Sequence, residues 1–342
     1  MTICGIMINN NTNILGFHKD TKVFAKTGWK NIKDIKIGEE LATLNVFKRE
    51  AEFLPCDEVV EHEYNGKMLQ CGVDTKYRIR FCVAPNNKML SYDSDDPCPV
   101  FLPAKYLIDS KKRHLSVNVV NKFKGTDDIK YVMEKKKQKI FLAGEDFVFL
   151  LGIFYAKAIV PSKNRIFLPL YEEEDLALII QNTLTKLGII FRINYKGIGI
   201  IIDSFSLADY IIKLLSKNRW QRFISDEIKD LSSDLLKIFI KGILLCCAGQ
   251  NIACYRTNND KCIHDLFYIL TKAGYNYTFG ILRNVGQFHV SESRDFTYPK
   301  DIKEIDYNDK IYSIKIKPYN TIMINFNRES GFWCGDCSIN GN

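Results

Sequence analysis

Hydrophobic and polar positions change their spacing twice along the chain. From residue 20 to about residue 120, short apolar runs such as 21–25, 77–83 and 115–119 are separated by turn-forming residues. Runs of this length predict β-strands. The same alternation returns at residues 311–324. Both ends of the chain are therefore predicted to be β structure.

The middle of the chain has helical spacing. Apolar stretches at 147–158 and 233–247 have the length of helices, and further helices are predicted at 173–187, 206–215 and 260–272. Strands are predicted at 165–170, 189–195, 199–203, 252–256, 275–282 and 287–291. This order of helix, strand, helix and strands occurs twice, about 85–90 residues apart. The repeat predicts a pseudo-twofold domain inserted into a loop of a β domain.

Composition agrees with a folded protein of two domains. The chain has 342 residues, of which 46% are hydrophobic and 26% charged. The 48 Lys and Arg residues against 40 Asp and Glu residues give a net charge of +8, which suits a nucleic-acid partner without requiring one. A basic run that ends in EKKKQK predicts a linker at 131–144.

Eleven cysteines are scattered along the chain without the spacing of a disulfide framework. The first residues lack the basic and apolar segments of a signal peptide. The longest central apolar run, IFIKGILLCCAG, contains Lys241 and is too short to span a bilayer. We predict free thiols, no membrane partner, and an intracellular protein that is cytoplasmic or virus-associated. The abundance of Ile, Lys and Asn suggests a phage or large virus as its source.

Three motifs lie in the predicted β regions. Residues 20–39 read DTKVFAKTGWKNIKDIKIGE, which resembles the first block of Hint protein-splicing domains, D-T-x-V followed by G-W-x-x-I-x-D-I-x-x-G-D/E. Residues 83–89, VAPNNKM, are similar to the second block, V-T-P-N-H-K-M. Residues 331–337, GFWCGDC, resemble the terminal block of inteins. The β domain therefore resembles that of an intein.

The inserted repeat resembles the LAGLIDADG homing endonucleases. Its two helices end in LGIFYAKA at 151–158 and in KGILLCCAG at 241–249. The resemblance implies a mixed α/β and all-β protein, in which a Hint-type β domain holds a pseudo-twofold LAGLIDADG domain of the αββαββα type. Its expected parts are a flanking lead at 1–15, Hint segments at 16–130 and 303–337, the linker at 131–144, an endonuclease-like domain at 145–302 with repeats at about 145–217 and 222–300, and a tail at 338–342.

Most positions that would carry splicing are substituted. The resemblance places the attacking thiol or hydroxyl at Gly16, which has no side chain. The Thr and His of the second block correspond to Ala84 and Asn87, and Asn87 cannot relay a proton near neutral pH. The terminal Asn that should cyclise corresponds to Asp336, and only Cys337, the residue after an intein, keeps the expected chemistry.

The nuclease positions are substituted too. The two carboxylates that would hold a divalent metal correspond to Lys157 and Cys247. Lysine brings a positive charge to that place, and cysteine is a poor ligand for Mg²⁺. We therefore expect no cofactor, with Mg²⁺ required only if the endonuclease is active.

Binding does not require the lost catalytic groups. LAGLIDADG proteins lay strands in the DNA major groove, where Lys and Arg contact phosphates. The candidate residues are Lys163, Arg165, Arg192, Lys196, Arg256, Arg283 and Arg294, each of which is equally explained as solvated surface charge. We expect a monomeric, intein-derived DNA-binding protein that neither splices nor cleaves. The alternatives are an active homing endonuclease or intein, an RNA-binding maturase-like protein, and a scaffold or virion component.

Overall fold

The chain forms two compact units that are interleaved in sequence. In a computed structural model, unit 1 comprises residues 1–121 and 293–342, and unit 2 comprises residues 122–292. The structure describes residues 14–71, 81–93, 99–108, 113–116, 122–135, 138–170, 173–194, 199–215, 222–247, 254–282, 285–291, 296–297, 302–326 and 331–336. The unit boundaries lie about ten residues before those predicted at 130 and 302.

Unit 1 is built from β-strands. Numbered along the whole chain, they are β1 (Phe17–His18), β2 (Lys22–Ala25), β3 (Gly28–Asn31), β4 (Glu40–Asn45), β5 (Glu50–Pro55), β6 (Glu58–Cys71), β7 (Phe81–Val83), β8 (Lys88–Asp93), β9 (Val100–Pro103), β10 (Arg113–Ser116), β21 (Phe296–Thr297), β22 (Ile302–Lys315), β23 (Thr321–Asn325) and β24 (Phe332–Gly335). Single 3-10 turns occur at Ile32–Asp34 and Ala104–Leu107.

The strands of unit 1 pair across the insertion. β1, β22, β6 and β7 close a ring, and the fourteen residues of β6 pair with the fourteen of β22. A second sheet runs in the order β5, β4, β2, β23, β24, β8, β10 and β21, with β3 on β2 and β9 on β8. Strands from both sides of the insertion therefore share both sheets.

One hydrophobic core holds these sheets together. It contains Phe17, Val23, Phe81, Ile324 and Phe332, all of which are fully buried or nearly so. The rings of Phe81 and Phe332 lie 5.9 Å apart. A small separate cluster of Tyr64, Met68, Cys82 and Ile311 lies beside it. Burial of these aromatic and aliphatic side chains is the main source of stability in unit 1.

Unit 2 contains the helices of the described chain. Its elements are β11 (Lys122–Phe123), β12 (Tyr131–Lys135), β13 (Gln138–Leu142), α1 (Gly144–Lys157), β14 (Ile159–Ser162), β15 (Arg165–Pro169), α2 (Glu174–Lys186), β16 (Arg192–Asn194), β17 (Gly199–Asp203), α3 (Phe205–Leu215), α4 (Asp226–Lys229), α5 (Ser233–Leu245), β18 (Cys254–Thr257), α6 (Asp260–Ala273), β19 (Asn276–Leu282) and β20 (Val285–Ser291). No described helix is both long and apolar enough to cross a bilayer.

The internal repeat is visible in the sheets of unit 2. After α1 the strands pair in the order β14, β15, β17, β16, and after α5 they pair in the order β18, β20, β19. The order β15, β17, β16 matches β18, β20, β19, with antiparallel pairs throughout. The predicted fold class, a β domain interrupted by a duplicated α/β domain, is confirmed.

The segment predicted as a linker, 131–144, contains two strands. β12 and β13 form an antiparallel hairpin there, with Tyr131 opposite Leu142. The strands were not predicted because lysines dominate the composition of this segment. The residues YVM and IFL on either side of the lysines do have strand propensity.

Candidate functional site

Three residues that the motifs predict as splicing positions, Gly16, Ala84 and Asn87, come together in unit 1. Gly16 lies directly before β1, and its N–H donates to Oδ1 of Asn87 over 2.6 Å. The Gly16 carbonyl accepts from the N–H of Ala84 over 3.0 Å. The structure therefore brings together the backbone of Gly16 and the turn that follows β7.

This turn fixes the Asn87 side chain. After β7 the N–H of Asn87 donates to the Ala84 carbonyl over 3.0 Å, and the Asn87 carbonyl accepts from Ala104 N–H over 2.8 Å. Asn87 is buried with 1% of its surface exposed. Because its Oδ1 accepts from Gly16, this atom acts as an acceptor and not as a proton donor.

Ser313, on β22, is a site residue that the motifs did not indicate. Its Oγ donates to the carbonyl oxygen of Leu15 over 2.6 Å. The peptide bond between Leu15 and Gly16 is thus held on both sides, by Ser313 at the carbonyl and by Asn87 at the N–H. No spacing in the sequence could reveal this contact, because the two partners are 298 positions apart.

Ile311 occupies the space next to Gly16. A Cβ atom built on Gly16 would lie 2.5 Å from Cδ1 of Ile311 and 2.9 Å from its Cγ1. Real carbon atoms do not approach so closely, so a larger residue at position 16 requires the Ile311 side chain to move. The space that a side chain at residue 16 would need is therefore occupied by the apolar side chain of Ile311.

Asp336 is also buried, at the end of β24. Its Oδ2 accepts from the N–H of Ile316 over 3.0 Å, and its own N–H donates to the Asn320 carbonyl over 2.8 Å. In this position its carboxylate acts as a backbone hydrogen-bond acceptor. Cys337 lies outside the described residues.

In unit 2 the two repeat helices cross at a pair of glycines. The Cα atoms of Gly152 and Gly242 are so close that a Cβ on either one would lie 3.1 Å from the other's Cα. The same Cβ atoms would lie 2.0 Å from the carbonyl oxygen of Phe239 and 2.3 Å from that of Phe149, respectively. Only glycine permits backbones to approach in this way.

Charged residues gather where these helices end. The Nζ atom of Lys157 lies 2.8 Å and 2.7 Å from the two carboxylate oxygens of Glu173. The guanidinium of Arg222 donates to the carbonyl of Ala156. Cys246, which stands next to the predicted nuclease position Cys247 in the turn after α5, lies within the electrostatic reach of Cys247, Lys157, Glu173 and Arg222, and burial raises the pKa of its thiol to about 12. The end of α1 and the end of α5 therefore share one neighbourhood.

These residues do not fit a divalent metal. The Glu173 carboxylate is already paired with an ammonium, and Cys246 is held as a neutral thiol at physiological pH. Mg²⁺ requires several hard oxygen ligands in near-octahedral geometry. Within the described parts of the chain, no three His, Cys, Asp or Glu residues group as metal ligands would. Glu173 was missed in the sequence because it precedes α2 rather than ending a repeat helix.

Two of the candidate DNA-binding residues meet on the first sheet of unit 2. Arg165 Nε donates to Oδ1 of Asp203 over 2.8 Å, and Arg192 Nε donates to Oδ2 of the same carboxylate over 2.9 Å. These hydrogen bonds, first from Arg165 and then from Arg192, lower the pKa of Asp203. All three side chains are exposed.

The remaining candidates are dispersed. Lys163 is exposed in the turn between β14 and β15. Arg256 lies on β18, and its side chain is not described. Lys196, Arg283 and Arg294 lie outside the described residues. The structure thus brings Arg165 and Arg192 together, around an aspartate that the sequence did not single out.

Comparisons with known proteins give matches only among solved structures. No protein-family model matches the chain, and no curated protein matches it. A splice-inactive variant of the AceL NrdHF class 3 split intein is 15% identical, with a TM-score of 0.25, and the match covers 37% of this chain and 70% of that one. A variant of the Ssp DnaB mini-intein is 7% identical, with a TM-score of 0.34, over 95% of this chain and 99% of that one.

A third neighbour is the homing endonuclease I-DmoI. A variant of it in complex with its target DNA, in the presence of Mn, is 16% identical with a TM-score of 0.31, and the match covers 43% of this chain and 87% of that one. Inteins and a homing endonuclease are the two kinds of protein that the motifs resemble. The residue-level proposals that follow rest on the contacts described above.

Proposed function

We propose that this protein is intein-derived, that unit 2 binds DNA through its sheets without cutting it, and that unit 1 leaves its own peptide bonds intact. The observation that carries the proposal is the ion pair between Lys157 and Glu173 at the end of α1. It sets a positive charge, already neutralised by the nearby carboxylate, where a nuclease of this kind would hold its metal. The free thiols among the described cysteines support a reducing compartment.

Electrostatics oppose metal binding at this place. Taken alone, the Lys157 ammonium would repel a divalent cation about 4 Å away by about 8 kcal/mol at an effective dielectric constant of about 20, and the paired Glu173 carboxylate offsets part of this repulsion. Recruiting Glu173 as a ligand would also break its two short contacts with Lys157.

The arginine pair supports DNA as the partner. Both contacts to Asp203 use Nε, which leaves the terminal nitrogens of Arg165 and Arg192 to donate to a phosphate or to a base edge. The aspartate, on β17, also holds the two guanidinium groups in place on the strands that flank it, β15 and β16, which reduces the entropy lost on binding. The three side chains together carry one net positive charge.

Gel shifts with a mixed-sequence DNA duplex over a series of salt concentrations test the binding. We expect the affinity to fall steeply with salt, and the slope of log K against log salt to fall by about 2 in the double variant Arg165→Gln, Arg192→Gln, because two phosphate contacts are lost. Lys213→Gln is the matched control, because Lys213 is an exposed cation on helix α3, paired with Asp209. An unchanged slope in the arginine variant would show that this sheet does not contact the DNA backbone through Arg165 and Arg192.

Other functions give other outcomes. Nicking of supercoiled DNA with Mg²⁺ or Mn²⁺ would establish an active endonuclease, and a reduced mass of the purified chain would establish splicing or cleavage. Binding to an RNA hairpin with no shift of duplex DNA would favour the maturase-like function. No shift of either nucleic acid at low salt would favour the scaffold or virion component.

A further inference from the structure

Two side chains from distant parts of unit 1 converge on a single peptide bond. Ser313 donates to the Leu15 carbonyl and Asn87 accepts from the Gly16 N–H, each over 2.6 Å. Asn87 has 1% and Ser313 9% of its surface exposed. Buried polar side chains need hydrogen-bond partners, but backbone groups elsewhere could have satisfied them. Their convergence on both sides of one bond is therefore a specific arrangement.

The contact at the carbonyl has a chemical consequence. A hydroxyl that donates to a carbonyl oxygen stabilises the negative charge which develops there when a nucleophile attacks the carbon. Asn87 fixes the plane of the same peptide by holding its N–H. Together these contacts orient the bond and favour attack on it, but they supply no attacking atom.

The nucleophile that this arrangement lacks would have to come from a side chain at residue 16. Gly16 carries no side chain, and a Cβ there would collide with the buried ethyl group of Ile311. Replacing Ile311 by alanine removes both of the closest atoms, Cδ1 and Cγ1. The side chain of a cysteine at position 16 would then fill part of the cavity that the isoleucine leaves, which limits the loss of stability.

We propose that Ser313 is the oxyanion donor of a latent acyl-transfer site, in which it and Asn87 hold the Leu15–Gly16 bond ready for attack by a nucleophile on residue 16. The proposal rests on the proposed function in that it assigns Gly16, Ala84 and Asn87 to a splicing-type site. It adds a residue that no motif indicated. It also explains the lack of acyl transfer by the missing nucleophile at Gly16 and the space taken by Ile311, and not by a change in the orientation of the peptide bond.

The test restores the nucleophile in the full chain with Gly16→Cys and Ile311→Ala together. The new thiolate would attack the Leu15 carbonyl carbon, the carbon–nitrogen bond to residue 16 would break, and the thiol proton would pass to the released amine. An added small thiol, such as mercaptoethanesulfonate, would then take the acyl group and regenerate the cysteine. We expect mass spectrometry to show fragments 1–15, as the small-molecule thioester, and 16–342.

Ser313 is tested in this background. Ser313→Ala should slow the thiol-dependent cleavage about 100-fold, the usual effect of removing one oxyanion donor, and Ser313→Thr should restore much of the rate. The wild-type chain is the matched control, because it contains other thiols but none at residue 16. A folded double variant that does not cleave, or a rate that Ser313→Ala leaves unchanged, would overturn the proposal.

A measurement on the otherwise unmodified chain does not depend on whether the double variant folds. With ¹³C at the Leu15 carbonyl, the resonance should move upfield in Ser313→Ala, because the hydrogen bond to its oxygen is lost. An unmoved resonance would also overturn the proposal. Cleavage of the wild-type chain would instead contradict the proposed function, and DNA binding by unit 2 is unaffected by either result.

Discussion

The glycine crossing of α1 and α5 makes a quantitative prediction about unit 2. Replacing Gly152 with alanine would place a Cβ 2.0 Å from the carbonyl oxygen of Phe239, which belongs to the backbone of the facing helix and cannot rotate away. Ordinary carbon–oxygen contacts are about 3.3 Å or longer. The helices must therefore separate by about 1 Å at the crossing.

The cost follows from this separation. A gap of about 1 Å removes up to half of the dispersion energy of the facing atoms. The interface includes buried rings such as Tyr155 and Phe239, whose centroids lie 6.0 Å apart. We expect a strain and packing loss of about 3–5 kcal/mol, offset by about 1 kcal/mol from the better helix propensity of alanine. The free energy of unfolding of unit 2 should fall by about 2–4 kcal/mol.

Urea denaturation followed by circular dichroism at 222 nm measures this change, because the described α-helices lie in unit 2. The control is Gly280→Ala in β19, where a Cβ meets nothing within 4 Å. It should change stability by less than about 0.5 kcal/mol. Gly242→Ala should act like Gly152→Ala, and the two should be less than additive, because the helices separate only once. A Gly152→Ala curve that coincides with the control would refute the close crossing.

Three further predictions concern single side chains. Asn87→Ala leaves the buried N–H of Gly16 without its acceptor, so the unfolding of unit 1, followed by Trp29 and Trp333 fluorescence, should show a loss of about 1–3 kcal/mol; an unchanged midpoint would contradict the contact. Burial lowers the pKa of His18, so the unfolded chain takes up the proton first, and the stability of unit 1 should be lost as the pH falls below the ordinary value of 6.5; this dependence should weaken in His18→Gln. Because the pKa of Cys246 is about 12, about 10⁻⁴ of its thiol is ionised at pH 8, and iodoacetamide should modify it far more slowly than in the unfolded chain. Equal rates of modification in the folded and unfolded chains would contradict the burial of this thiol.

The sequence could predict the architecture because periodicity is a local property. The two repeats appear in it as apolar helices followed by short strands, and Gly188, directly after the predicted helix 173–187, has the positive φ of 68° that a helix-ending glycine adopts. The hairpin of β12 and β13 was missed because its many lysines make the segment look like a polar linker. Strand formation depends instead on the side chains across the strand pair, which composition does not show.

The candidate sites could be predicted only in part, because their contacts join residues that are far apart in the sequence. A motif register predicts which residue stands at each motif position, as at Lys157 and Gly16, but not what that residue contacts. Glu173 binds Lys157 from sixteen positions away, and Ser313 reaches Leu15 from the far side of the insertion. Such pairings are fixed by the tertiary fold and leave no local pattern in the chain.

The long pairing of β6 with β22 has a consequence for biosynthesis. Cys71 ends the first strand and Ile302 begins the second, so 230 residues separate them (302 − 71 − 1). At roughly 5–20 residues per second, a ribosome needs about 10–50 seconds to supply the partner strand. During that interval unit 2 can complete its own fold while β6 waits with an unpaired edge. The nascent chain is then most exposed to aggregation and most in need of a chaperone.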